Sequence, residues 1–177
     1  MHSLKLNFVV ASIVLLLVAG LATAAVAKDG PDLPSPLCDR VQVPEGNKVA
    51  FHVYADGVQI YTWNGAGWVF VEPAATLFAN AEFDGKVGTH YRGPTWESNS
   101  GSTAVGARLF GCTPDPTAIP WLLLQAVSNG GHGIFSSVTY IQRVNTTGGV
   151  APAVPGSSVG ETVQIPYTAE YYFYRAQ

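Results

Sequence analysis

The sequence predicts an all-β protein, a single-domain antiparallel β-sandwich or barrel of about 8–9 strands. Three observations lead there. No segment after the N-terminal apolar run carries a long 3.6-residue apolar period. Short runs rich in Val, Ile, Thr and aromatic residues recur instead. Gly, Asn, Asp and Pro separate those runs at the spacing expected of turns.

Along the chain, the first element is a leader. "MHSLKLN" is weakly basic, "FVVASIVLLLVAG" is an apolar run too short for a comfortable span, and "LATAAVA" offers small residues for cleavage. Residues 1–27 read as a signal peptide, so export is expected, with no stable membrane span once it is removed. A Pro-rich segment, residues 28–42, precedes the all-β domain at 43–177. Cys38 and Cys112 are the only cysteines, and in an exported chain an even count predicts one disulfide between them.

The strands follow from local chemistry. In "VAFHVYADGVQIYTWNGAGWVFV", Asp56-Gly57 is a two-residue hairpin signal, and Asn64–Gly67 turns the chain again. "ATLFA", "KVGTHYR" and "STAVGARLF" read as further strands, with "NAEFDG" and "SNSG" between. "AIPWLLLQAVS" and "IFSSVTYIQRVN" flank the turn "NGGHG". "TTGGVAPAVPGSSVGE" is a loop, and "TVQIPYTAEYYFYR" closes the chain as one long strand that can bend at Pro166.

With a turn at Asp56-Gly57, Phe51, Val53, Ala55, Val58 and Ile60 share one face. His52, Tyr54, Gln59, Tyr61 and Trp63 share the other. "PWLLLQAVS" is apolar on both faces and "AEYYFYR" aromatic on both, so these strands should be covered twice.

Composition excludes several functions. The formal charge is −3 with a sequence pI of about 5.7, and no basic cluster exists. A nucleic-acid partner is therefore not expected. Gly65-Ala66-Gly67 lacks the third glycine of a dinucleotide fingerprint, where Phe70 stands, and it joins two strands. No cofactor and no metal site are expected: His52, His90 and His132 lack ligand spacing. No G-x-S-x-G elbow occurs.

The densest chemistry lies in "GTHYRGPTWESNSGS", Gly88–Ser102. On a straight strand His90, Arg92 and Trp96 would face one way and Tyr91 and Glu97 the other. Gly93-Pro94 interrupts that parity, either as a corner between two strands or as a bend that regroups His90 and Glu97. Aromatic rings with polar edges suit sugars and amphipathic small molecules, and they also make cross-strand ladders. The candidate ligand-binding set is His52, Tyr54, Tyr61, Trp63, His90, Arg92, Trp96 and Glu97, with no catalytic residue assigned.

The blocks "FHVYADGVQIY", "VGTHYRGPTWE", "AIPWLLLQAV", "VTYIQRVNTTGG" and "IPYTAEYYFYR" resemble an exported family known as domain of unknown function 3455, from about Val43 to Arg175. The resemblance implies a secreted bacterial or fungal protein and no established activity or site residue. Some fungal relatives carry a malate dehydrogenase label. The missing dinucleotide fingerprint argues against that activity in this chain.

The leading expectation is an exported, non-catalytic binding protein for a glycan or small amphipathic ligand held on aromatic residues. The alternatives are a hydrolase using Glu97 or His90, which would need a second carboxylate or base nearby, and a structural or surface protein of the cell exterior. The sequence leaves the oligomeric state open.

Overall fold

A computed structural model describes residues 30–177; the expected signal peptide lies outside them. The chain forms a closed barrel of eight antiparallel strands in simple sequential order. They are β1 (Asn47–Trp63), β2 (Trp68–Phe78), β3 (Lys86–Tyr91), β4 (Thr95–Ser98), β5 (Thr103–Cys112), β6 (Trp121–Gly130), β7 (Tyr140–Gly148) and β8 (Thr162–Ala176). β1 pairs with β2 on one edge and β8 on the other, which closes the sheet and leaves no edge strand. Of the two architectures expected, the barrel is the one adopted.

The hairpin expected at Asp56-Gly57 does not form. β1 runs straight through it, with Asp56 opposite Thr76 and Thr168, and Gly57 opposite Ala75 and Tyr167. Pairing on both edges outweighs the local turn preference. Gly57 is needed for a different reason. A Cβ there would lie 2.5 Å from the Cα and Cβ of Ala75, and closer still to the Ala74 carbonyl oxygen. The missing side chain lets β1 and β2 approach as the barrel curves. Likewise "WVFV" and "ATLFA" are one strand, β2, with Pro73 inside it.

Without the turn, the alternation along β1 changes. Val53, Ala55, Gln59 and Tyr61 are buried, whereas His52, Tyr54 and Asp56 lie on the outer face. The expected grouping of Gln59 and Tyr61 with His52 and Tyr54 is thereby corrected.

Two cores result. The first fills the barrel, where Phe51, Phe135 and Phe173 pack with centroids 4.6–5.1 Å apart. Phe135 comes from the β6–β7 connection and plugs that end of the barrel. The second core lies outside, under residues 30–46. Cys38, Val41 and Val43 there cover Trp121, Leu123, Val144 and Tyr174. Leu124 of β6 belongs to the first core and Leu123 to the second, so β6 is covered twice, as its pattern predicts. The same holds for β8 with Phe173 and Tyr174.

The Cys38–Cys112 disulfide fastens the N-terminal segment to β5, with Cα atoms 5.4 Å apart. Gln142 adds a polar clamp. Its Nε2 donates to the Val41 carbonyl at 2.6 Å, and its Oε1 accepts from the Tyr174 hydroxyl. Both atoms of the amide are satisfied, which burial of a glutamine requires.

Candidate functional site

The end of the barrel opposite Phe135 is not filled. A cavity of about 680 Å³ occupies it, within the ordinary size of small-molecule pockets. An eight-stranded barrel has interior room for packed side chains or for one small ligand; here the aromatic plug takes one half and the cavity the other. Trp96 and Tyr171 mark the boundary. Both line the cavity, and Trp96 also meets Phe173 edge-on at 5.9 Å. The walls are largely apolar, including Pro73, Ile119, Leu122 and Leu124. Phe70 and Val71 are substantially exposed at its rim.

The β3–β4 corner brings the polar groups in. Arg92, Gly93 and Pro94 make the turn, with Gly93 at φ +98, a value glycine adopts without strain. Gly93-Pro94 is thus the corner between two strands. His90 then pairs with Trp96, and both point into the barrel. His90 Nδ1 lies 2.9 Å from the Thr95 carbonyl oxygen. A carbonyl only accepts, so Nδ1 carries the proton. Burial holds this imidazole neutral, with its pKa lowered to about 3.

Gln59 of β1, Trp96 of β4 and Tyr171 of β8 line the cavity, and Tyr167 stands beside Tyr171. Gln59 Nε2, Trp96 Nε1 and the hydroxyls of Tyr167 and Tyr171 are buried without a hydrogen bond of normal geometry. Tyr167, Tyr171, Gln59 and Arg143 are close enough to influence one another electrostatically. Burial raises the pKa of both tyrosines, so both hydroxyls keep their protons and can donate. Polar atoms buried without partners cost stability.

Arg143 of β7 supplies the inward charge. Its Nε and Nη2 donate to the Pro120 carbonyl at 3.1 and 2.8 Å. Among the described residues no carboxylate pairs with it. Arg92 and Arg108 also line the cavity, and no Asp or Glu does. Arg92 is bonded to Glu72 at 3.0 Å on the exposed side.

The structure divides the predicted set. Tyr61, His90, Arg92 and Trp96 come together around the cavity. Tyr61 also donates to the Gly149 carbonyl at 2.7 Å and so holds the start of the β7–β8 loop. His52 and Tyr54 lie on the outer wall in an aromatic ladder. His52 stacks on Tyr172 at 4.0 Å, and its Nε2 meets Glu170 at 2.8 Å. Trp63 packs edge-on against Trp68 at 5.5 Å and backs the β7–β8 loop at Gly156. Glu97 faces outward and accepts from the Tyr91 hydroxyl at 2.7 Å. His90 and Glu97 are therefore on opposite faces of the barrel wall.

Sequence reasoning misses Gln59, Arg143 and Tyr171. A signal for Arg143 exists: in "YIQRV" it shares parity with Ile141, which is a charge on a core-facing position.

The fold and this cavity define a class: a small antiparallel barrel, closed at one end by an aromatic plug and hollow at the other. The chain belongs to the family described as protein of unknown function (DUF3455), whose model matches residues 44–175. No curated protein and no solved structure matches it. The eight-stranded antiparallel meander contains no βαβ unit of the kind that holds dinucleotides, and nothing supports a malate dehydrogenase activity. Among the described residues no helix is long and apolar enough to cross a membrane.

Proposed function

We propose that this is an exported, non-catalytic binding protein that holds a small amphipathic molecule inside the barrel. The observation that carries the reading is the cavity of about 680 Å³, walled by apolar side chains and bordered by buried polar groups without a hydrogen bond of normal geometry. That pairing of an apolar body with a few convergent polar groups is the usual make-up of a ligand site. An amphipath fits it better than a glycan, because the half-buried ring pairs outside the cavity, His52 with Tyr172 and Trp63 with Trp68, pack against each other. A hydrolase is less well supported, since Glu97 and His90 do not share a cleft. Export is supported by the leader-like N-terminus and by the Cys38–Cys112 disulfide.

A thermal-shift screen of the oxidised protein against glycans, fatty acids, sterols and aromatic metabolites tests this. Binding within the barrel raises the melting temperature for members of the amphipathic group and leaves it unchanged for sugars. A panel without any shift contradicts the proposal.

A further inference from the structure

We infer that the barrel's ligand is an acid: a molecule with one carboxylate, held by Arg143, and an apolar body against the cavity walls. This rests on the binding reading above and adds the charge of the ligand to it. The charge around the cavity is one-sided. Arg92, Arg108 and Arg143 line it and no Asp or Glu does; Glu72 offsets Arg92 from the exposed side, which leaves Arg108 and Arg143, in a chain whose net charge is −3. Low-dielectric walls focus such a field and draw in the opposite sign.

Arg143 is the cation placed to meet a ligand inside the barrel. It is half-buried; its guanidinium donates to the Pro120 carbonyl and lies beside the Tyr171 hydroxyl, with no carboxylate on it among the described residues. A guanidinium presents five N–H donors, and two of its three nitrogens are used here. The remaining donors suit a carboxylate, whose oxygens accept in matching geometry. The groups nearby are donors as well. Tyr171 and Tyr167 stay protonated, and Trp96 Nε1 can only donate. His90 is neutral, so it does not compete with Arg143 as a cation. The acceptors present, His90 Nε2 and the Gln59 carbonyl, are neutral, whereas the guanidinium is charged, so the site favours a carboxylate over an ammonium group.

The test uses the mature, oxidised protein at neutral pH with decanoate, decanol and decylamine, which share a chain and differ in head group. Calorimetry or tryptophan fluorescence gives the affinities for the wild type, Arg143→Met and Arg143→Lys. In the wild type decanoate binds about 10- to 100-fold more tightly than decanol, the range of a charge-assisted hydrogen bond, and decylamine binds most weakly. Arg143→Met removes the preference for the acid while decanol affinity is kept, which also shows that the barrel is intact. Arg143→Lys retains part of the preference. Equal affinity for acid and alcohol in the wild type, or a preference that survives Arg143→Met, overturns the inference and leaves the barrel-binding reading standing. Failure of all three molecules to bind overturns the inference, and the barrel-binding reading falls with it when the thermal-shift panel also shows no shift.

Discussion

The imidazole of His90 lies flat on the indole of Trp96, with ring centroids 4.3 Å apart and planes 8° from parallel. Both rings are almost fully buried, and the imidazole carries a single proton on Nδ1. Its folded-state pKa of about 3 lies below the ordinary 6.5, chiefly because burial penalises the charged form. Between those two values the unfolded chain binds a proton that the folded chain refuses. Stability is therefore intact above about pH 6.5 and is lost as the pH falls toward 3, by up to about 1.4 kcal/mol per pH unit from this residue. Burial also lowers the pKa of His52, despite Glu170 beside it, which adds a slope of the same sign. Urea melts across this window should show the decline. His90→Asn, which can keep a donor near Thr95, should start less stable and fall less steeply; an unchanged slope would place the proton elsewhere.

Tyr171 separates stability from binding. Its hydroxyl is buried without a normal hydrogen bond. Tyr171→Phe removes that cost, so the protein alone should be as stable as the wild type or more so, by up to about 1–3 kcal/mol. The same change should weaken decanoate binding. A loss of more than about 1 kcal/mol in the absence of ligand would mean that the hydroxyl is already well bonded.

Gly57 tests the reading of β1 as one strand. Gly57→Ala should destabilise by about 1–3 kcal/mol, because the new methyl group collides with Ala74 and Ala75. Chemical denaturation measures this. Tolerance of Gly57→Ala would argue for looser β1–β2 contact at this point.

The disulfide should act on the outer core. It closes a sequence separation of 74 residues, for which chain entropy gives about 4 kcal/mol. Reduction, or replacement of both Cys38 and Cys112 by Ala, should lower stability by about 2–4 kcal/mol and expose residues 30–46 to protease. Limited proteolysis followed by mass spectrometry identifies the cut. Equal protection of that segment in both redox states would show that Gln142 and the apolar contacts suffice to hold it.

Much of this architecture is legible in the sequence, and the failures have a common physical source. β6 and β8 announce their double burial because apolar side chains occupy both parities. The β3–β4 corner is among the readings that Gly93-Pro94 allows. Asp56-Gly57 misleads because a turn preference is local, whereas β2 and β8 pair with β1 across that very dipeptide. The error carries over to the site. One false turn reverses the parity beyond it, so Gln59 is assigned to the outer face and Tyr61 is grouped with His52 and Tyr54, which belong outside. Arg143 and Tyr171 are hidden for another reason. Alternation tells which residues share a face, but not which inward positions lie beside the plug and which beside the cavity. That depends on Phe135, which enters the barrel from the β6–β7 connection, although "IFSSVTYIQRVN" reads as one strand from Ile134 and β7 begins only at Tyr140.

Binding in the hollow half of the barrel is the central claim. The most direct measurement is a decanoate titration by calorimetry of the wild type and Leu122→Trp, whose larger ring occupies the space beside Leu124 and Arg143. The account predicts one equivalent bound by the wild type and binding lost in Leu122→Trp, with the melting temperature of the unliganded variant maintained. Equal binding by the two proteins, or a stoichiometry of several molecules per chain, would place the ligand on the outer surface and contradict it.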